Sequence, residues 1–268
     1  MDGLPDELVL QIFQGLVAPI TCTNSYDGMA LFARICLVCQ RFNRIATPFL
    51  YGVIDALDHK CSTSELLSTL ISRPELKTLP KVFRFHDFLP GRFDFTVRDP
   101  NQCLALAESL QVPEREAIEY LTQEGHSMVL ALLIFSAPKV EKFCIHRQSR
   151  RWSGSPEIPF WIRGLGQIAL GRSFGRIHDF SSLKVLSVDM TIIRLEAMFP
   201  LFLLPSLVDL TIVDALGFKE KDNYTLYGSV WTWPERTARV ESLSFTNPHF
   251  SSRIIKIAIL ACKALKRF

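Results

Sequence analysis

The first stretch of the chain carries apolar residues at helical spacing. Leu4-Pro5-Asp6-Glu7-Leu8 begins a helix, because proline is tolerated in the first turn and carboxylates there favour the positive end of the helix dipole. We predict that this helix ends near Leu16. Its apolar residues cover an arc of about 240°, against the roughly 100° that one core requires. They are Leu4, Leu8, Val9, Leu10, Ile12, Phe13 and Leu16. The helix therefore needs two surfaces to pack on.

The next residues predict a loop and two more helices. Residues 17–26 are rich in turn-forming side chains and predict a loop. Residues 30–39 are apolar almost all round, with Arg34 the one charge, so a second helix there should be enclosed on every side. A third, amphipathic helix is predicted over residues 40–46 and should end before Pro48.

Three helices in about 50 residues are too few to bury this much apolar surface among themselves. The pattern therefore implies a partner surface. That surface belongs either to another protein or to the rest of this chain, and periodicity does not separate the two.

A different pattern recurs in the remaining chain: an apolar residue, two others, an apolar residue, one other, and an apolar residue. It matches Val140/Phe143/Ile145, Leu183/Leu186/Val188, Leu207/Leu210/Ile212 and Val240/Leu243/Phe245, with Leu265/Phe268 as a cut-off fifth match. A strand near residues 82–85 is an earlier candidate. Apolar helical patterns at 192–204 and 254–262 would be buried if strand-helix units stacked into one core. The spacing is irregular, so an α+β domain of unrelated topology is the alternative.

The N-terminal motifs closely resemble an F-box over residues 4–52: Leu4-Pro5-Asp6-Glu7-Leu8, Ile12-Phe13 and Leu16, then Leu37-Val38-Cys39-Gln40-Arg41-Phe42 through Leu50-Tyr51. In that family the module binds the small S-phase-kinase-associated adaptor protein, which links it to a cullin scaffold and a RING subunit in an SCF ubiquitin ligase. The resemblance implies adaptor contacts by Leu4, Pro5, Glu7, Leu8, Ile12, Leu37, Val38, Cys39, Phe42, Leu50 and Tyr51. The predicted loop is longer than usual, and Phe42 and Tyr51 replace common tryptophans. The alternative is a helical cap on the following domain.

The remainder resembles the irregular leucine-rich-repeat region that often follows an F-box, especially in fungal proteins. The run from Leu66-Leu67 to Arg73-Pro74-Glu75-Leu76 also fits that pattern. The expected fold is an α+β or α/β solenoid: a three-helix F-box in residues 1–55, a helical linker in 56–79 and irregular repeat units in 80–268. Because the last match is cut off, we expect an incomplete final unit and a chain truncated relative to its relatives.

Composition narrows the possible partners and compartments. Hydrophobic residues make up 48% and charged residues 21%, which predicts a folded chain, and the net charge of +3 is too small to indicate a nucleic-acid or membrane partner. Six arginines and one acid lie between Arg147 and Arg176. This region is interpreted either as a solvated loop or as a binding site for a phosphate-bearing or acidic target. No secretory signal is visible, and seven scattered cysteines agree with a reducing compartment. We expect the cytoplasm, the nucleus or both.

Motifs for bond chemistry are weak. Cys36 and Cys39 with His59 and Cys61 form a loose zinc pattern, although an apolar helix already accounts for both cysteines of the pair. Residues 164–169 form a loose dinucleotide fingerprint without the buried strand it requires, so a flexible Gly/Arg loop is the simpler interpretation. No catalytic residue, cofactor or metal is predicted.

The function expected from these observations is that of a substrate receptor, not an enzyme. Aromatic and arginine residues in predicted connections are the candidates for target contact, since these types are enriched in binding hot spots. They are Arg150, Arg151, Trp152, Trp161, Arg163, Tyr224, Tyr227, Trp231 and Trp233. The alternatives are an F-box scaffold outside ubiquitination and an unrecognised enzyme in residues 80–268.

Overall fold

The computed structural model describes residues 3–23, 25–56, 63–87, 100–147, 158–172, 174–189, 198–214, 225–226, 229–230, 236–248 and 252–268. In these residues the chain is a mixed α/β protein with eight α-helices and a six-stranded parallel sheet. The helices are α1 (Asp6–Thr23), α2 (Ser25–Cys36), α3 (Gln40–Gly52), α4 (Thr63–Ser72), α5 (Pro100–Ser109), α6 (Glu114–Phe135), α7 (Phe160–Ala169) and α8 (Ser252–Ala261). The strands are β1 (Val53–Ala56), β2 (Val82–Asp87), β3 (Lys142–Arg147), β4 (Val185–Asp189), β5 (Asp209–Val213), β6 (Thr225–Leu226), β7 (Ser229–Val230) and β8 (Ser242–Thr246).

The large sheet follows the chain from one edge to the other. Its order is β1-β2-β3-β4-β5-β8, and every neighbouring pair is parallel. The central apolar residues of the four complete template matches share one register: Phe143, Leu186, Leu210 and Leu243 are successive partners. The predicted strands are therefore confirmed. The cut-off fifth match contributes a single parallel bridge, between Ser242 and Arg267.

The sheet begins earlier than the sequence indicated. Strand β1 follows directly on α3 and pairs with β2, so the sheet starts at Val53 and not near residue 80. In the stretch predicted as a helical linker, residues 63–79 contain α4 and a 3₁₀ segment at Pro74–Thr78, and they bury Leu67, Leu70 and Leu76 in the main core. It is part of the packed α/β body.

One face of the sheet carries the core. Alternate residues of the strands, such as Phe83, Ile145, Val188 and Ile212, are buried there. The run Met128–Phe135 at the end of α6 is buried throughout. An apolar run of this kind is typical of a helix covered on all sides, so α6 is the central helix of the layer against the sheet.

A second, smaller core lies within the first three helices. Val9, Phe13, Phe32, Ile45 and Ala46 form it, with partly buried rings around them. Phe13 meets Phe32 edge to face, with ring centroids 5.9 Å apart, a geometry that aromatic pairs favour. The N-terminal module therefore has a core of its own, separate from the core of the sheet.

The predicted ends of the first and third helices are wrong. Helix α1 continues to Thr23, so residues 17–23 are helical and do not form the predicted loop. Helix α3 continues through Pro48 to Gly52. A proline inside a helix costs about 3 kcal/mol, but Phe49 stacks on Phe32 at 5.3 Å and so ties this turn to the small core. Tertiary packing outweighs the local signal at this proline.

Candidate docking surface

Helix α1 presents two different apolar flanks. Val9 and Phe13 point into the small core and are only 3% and 5% exposed. On the neighbouring flank Leu4, Leu8, Ile12 and Leu16 follow one another at intervals of four residues and are all exposed, with Ile12 at 52%. The broad apolar arc is thus divided: the module covers one part itself and leaves the other part in contact with solvent.

The turn between α2 and α3 exposes still more apolar surface. Leu37 and Val38 are 86% and 67% exposed. The prediction that residues 30–39 form an enclosed helix is wrong, because α2 ends at Cys36 and only Phe32 of this stretch is fully buried. Among the described residues, α2 packs on α1 and α3, while Leu31 of the same helix is exposed.

Hydrogen bonds hold this turn in place. The Leu37 amide donates to the Arg34 carbonyl at 3.1 Å, and the Val38 amide donates to the Ile35 carbonyl at 3.1 Å. Cys39 is the N-cap of α3, and its Sγ accepts from a backbone amide of the first turn at 3.4 Å. The exposed pair therefore stands on a fixed turn, which lowers the entropy lost when a partner binds.

An ion-pair cluster joins the start of α1 to α3. Arg41 Nε lies 2.7 Å from Asp6 Oδ1, and Arg44 pairs with Asp6 Oδ2. Arg41 also donates to the Leu4 carbonyl. The hydrogen bond from Arg41 holds the pKa of Asp6 below its ordinary value. Leu4 and Leu8 are positioned by these contacts.

Exposed apolar side chains are concentrated in this module. Of the twelve large apolar residues that are exposed in the described part of the chain, eight fall within residues 4–38. We call these eight the exposed apolar set: Leu4, Leu8, Leu10, Ile12, Leu16, Leu31, Leu37 and Val38. Single exposed leucines are ordinary, but a concentration of this kind marks an interaction surface.

The residues assigned to adaptor contact by resemblance fall into two groups. Eight are exposed: Leu4, Pro5, Glu7, Leu8, Ile12, Leu37, Val38 and Cys39. Phe42, Leu50 and Tyr51 are partly buried by the chain itself. The Phe42 ring meets Phe13 at 5.8 Å, while Tyr51 packs on the main core. These last three side chains have a structural role within the protein.

The sheet has a polar face that sequence reasoning missed. One register row crosses all six strands: Asp55, Arg84, Cys144, Ser187, Thr211 and Ser244. These residues alternate along each strand with residues of the main core, such as Phe83 and Leu186, so they lie on the opposite face of the sheet. In the sequence, Cys144, Ser187, Thr211 and Ser244 occupy variable positions inside the four template matches. No motif marks such positions, so the polar row could not be predicted.

The polar row is charged at one end and hydroxyl-bearing at the other. Arg84 Nη1 lies 3.4 Å from Asp55 Oδ2, and the Asp55 side chain is only 5% exposed. Burial raises the pKa of the Cys144 thiol, which therefore stays protonated at neutral pH. Ser187 and Thr211 are half-buried and Ser244 is exposed. Polar side chains of this kind can hydrogen-bond a bound segment.

One predicted target contact is wrong. Trp161 is 0% exposed, in α7, and its ring meets Phe143 at 5.5 Å. It is a core residue because its stretch forms a helix with an apolar face against the sheet. Arg163 of the same helix is half-buried. The other candidates lie outside the described residues: Arg150, Arg151, Trp152, Tyr224, Tyr227, Trp231 and Trp233.

The glycines of the loose dinucleotide fingerprint are helical. Gly164 and Gly166 lie inside α7 and are buried, so both the fingerprint and the flexible-loop interpretation are wrong. A Cβ on Gly164 would lie 2.2 Å from Cζ of Phe135. The glycine is present because α6 and α7 approach closely at this point.

Neither a metal site nor a membrane span is found among the residues that the structure describes. No group of three or more His, Cys, Asp or Glu side chains there is arranged to hold a metal ion. Cys36 and Cys39 are free thiols, and His59 and Cys61 lie outside the described residues. None of the described helices combines the length and the apolar character needed to cross a bilayer.

No protein-family model matches the chain, and a search of curated proteins also finds no match. Any functional assignment therefore rests on the motifs and on the geometry described above.

Proposed function

We propose that the chain is the substrate-recognition subunit of an SCF-type ubiquitin ligase, acting in the cytoplasm, the nucleus or both. The N-terminal module docks on the S-phase-kinase-associated adaptor, and the α/β body binds a target protein. The observation that carries the proposal is the exposed apolar set, displayed on a module whose motifs resemble an F-box. The chain itself performs no bond chemistry, because transfer of ubiquitin takes place on other subunits.

The free energy available from burying the exposed apolar set supports docking on another protein. A leucine-sized side chain contributes about 1.5–3 kcal/mol when it is fully buried. The module already has its own small core, so these side chains are not needed to close it. They remain available for a partner, and the ion pairs of Asp6 keep α1 in place before binding.

The α/β body supports the second half of the proposal. Six parallel strands follow one another in chain order, and helices cover one face. This arrangement is expected of an irregular leucine-rich-repeat solenoid, in which each strand-helix unit contacts its neighbours. The polar face is then the surface offered to a target.

Affinity purification of the full chain beside a Leu8→Asp variant tests the adaptor half. The substitution places an unpaired charge in the docking surface, so the adaptor and cullin should be lost while target proteins are retained. Retention of the adaptor by the variant contradicts the proposal. If the adaptor binds but no cullin is recruited, the chain is a non-ligase scaffold instead.

Variants of the polar face test the target half. Thr211→Arg adds a bulky charge at a half-buried position of the polar row, on the face opposite the core, so proteins retained by Leu8→Asp should be lost and the adaptor kept. Arg239→Glu is a control charge change at an exposed position whose guanidinium binds the Pro205 carbonyl at 3.0 Å. Retention of every target by Thr211→Arg contradicts this placement.

A further inference from the structure

Two free cysteines flank the most exposed residues of the docking surface. Cys36 closes α2 and Cys39 caps α3, and Leu37 and Val38 stand between them. Cys39 is exposed and Cys36 is half-buried. The other free cysteines of the described residues are buried. Among the five cysteines whose side chains the structure describes, this pair is therefore the one that an oxidant in solution reaches first.

Hydrogen bonds to Asn43 connect the two cysteines. Asn43 binds both of them: its Nδ2 donates to the Cys36 carbonyl at 3.1 Å, and its amide donates to the Cys39 carbonyl at 2.9 Å. A disulfide needs Cα atoms about 4.4–6.8 Å apart. The two cysteines are three residues apart and both bind Asn43, so forming the disulfide calls for rotation of both side chains and a change in the turn between them.

Both sulfur atoms now make other contacts. Cys39 Sγ accepts from the Phe42 amide at 3.4 Å, and Cys36 Sγ lies 4.0 Å from Thr47 Oγ1. Joining the sulfurs would remove the cap of α3 and reshape the turn that displays Leu37 and Val38. The dithiol and the docking surface are therefore coupled through this turn.

We propose that Cys36 and Cys39 form a redox-sensitive dithiol whose oxidation to a disulfide weakens adaptor docking. With hydrogen peroxide as oxidant, the Cys39 sulfur attacks the O–O bond and becomes a sulfenic acid, with release of one water. The Cys36 sulfur then displaces the hydroxyl group as a second water. Two S–H bonds are replaced by one S–S bond, and peroxide is reduced to two waters. The docking effect rests on the proposed function, whereas formation of the disulfide does not.

Mass spectrometry of the full chain tests the chemistry directly. Cys22 and Cys61 are first replaced by serine, and the protein is treated with hydrogen peroxide and then with iodoacetamide. Trypsin releases residues 35–41 as one peptide, since Arg34 and Arg41 bound it. We expect this peptide to lose two hydrogens and to regain two alkylation sites after dithiothreitol. A peptide that stays doubly alkylated, or that carries only oxygen adducts, overturns the inference.

Adaptor affinity before and after oxidation tests the consequence. We expect at least a tenfold loss on oxidation, reversed by dithiothreitol. Cys36→Ser, compared with its own reduced form, cannot form the disulfide and should show a much smaller change. An oxidised protein that contains the disulfide and binds unchanged contradicts the regulatory role. If the reduced chain does not bind the adaptor at all, the proposed function fails while the disulfide result stands.

Discussion

Arg41 on α3 donates a hydrogen bond to Asp6 at the start of α1, with 2.7 Å between Nε and Oδ1. The two residues are 35 positions apart in the chain. Their contact fixes where α1 begins relative to α3, and with it the exposed flank that starts at Leu4. The proposed docking surface is therefore held by polar contacts at its edge as well as by the small core below it.

Asp6→Asn should loosen this edge. Because Arg41 lowers the pKa of Asp6 below its ordinary 3.8, the contact stabilises the fold above that pH and is lost as pH falls further. Exposed ion pairs contribute little to the free energy of folding, so we expect a small effect. At neutral pH the Leu8 and Val9 amides should exchange their hydrogens faster in the variant than in wild type. At a pH where Asp6 is protonated, the two proteins should exchange at the same rate. Glu75→Gln, which breaks a local pair with Arg73 at 2.8 Å, is the control. Equal exchange rates in both variants would contradict a stabilising role for the Asp6–Arg41 contact.

Gly164→Ala should destabilise the α/β body. The added Cβ would lie 2.2 Å from the Phe135 ring, and that ring is enclosed by Phe160, Phe174 and Phe180. Overpacking of this kind costs about 1–3 kcal/mol, measured as a lower free energy of unfolding in urea.

The matched control is Gly15→Ala. This glycine also lies inside a helix, but a Cβ there meets nothing within 4 Å. Alanine is the better helix former by about 0.8–1 kcal/mol, so the control should be neutral or more stable. Equal effects at the two positions would show that the close approach of α6 and α7 has no energetic consequence.

His178 should make stability depend on pH. Its Nε2 faces the Ile134 carbonyl at 3.2 Å, and its Nδ1 accepts from the Phe180 amide at 3.3 Å, so the neutral ring fits both contacts. Burial lowers its pKa from 6.5, a shift opposed by the Ile134 hydrogen bond and by the charge of Asp179. The stabilisation is complete above pH 6.5 and is lost as pH falls through the folded-state pKa.

Thermal unfolding between pH 8 and pH 5 measures this contribution. Wild type should lose stability as the pH falls below 6.5, and His178→Gln, which cannot titrate, should lose less over the same interval. Asp179 titrates at lower pH, because the hydrogen bond from the Ser181 amide lowers its pKa. Parallel slopes for wild type and variant would contradict the assignment to His178.

Much of the sheet could be predicted from the sequence. The template positions that point to the core, such as Leu186 and Leu210, are apolar because each is enclosed by neighbouring strands and helices. The first strand was missed because Val53–Ala56 is short and interrupted by Asp55, whose charge is compensated by Arg84 on the next strand. Such a pairing exists only in three dimensions.

The docking surface was predictable in part. The wide apolar arc predicts a second packing surface for α1, and part of that arc, including Leu8 and Ile12, is exposed in the structure. Leu37 and Val38 were assigned to an enclosed helix, because periodicity does not show that α2 ends at Cys36. Trp161 was assigned to a connection, since Gly164 and Gly166 near it suggested a loop. These glycines instead allow close helix packing.

We propose above that the exposed apolar set binds the ligase adaptor. The most direct measurement is titration calorimetry of the purified full chain against the purified adaptor, for wild type, Leu8→Asp and Ile118→Asp. Leu8 and Ile118 are both 44% exposed, on α1 and α6, so the two substitutions differ in location and not in chemistry. We expect specific binding by wild type and Ile118→Asp, and at least a hundredfold weaker binding by Leu8→Asp. No binding by wild type, or an equal affinity for all three proteins, would contradict the proposal.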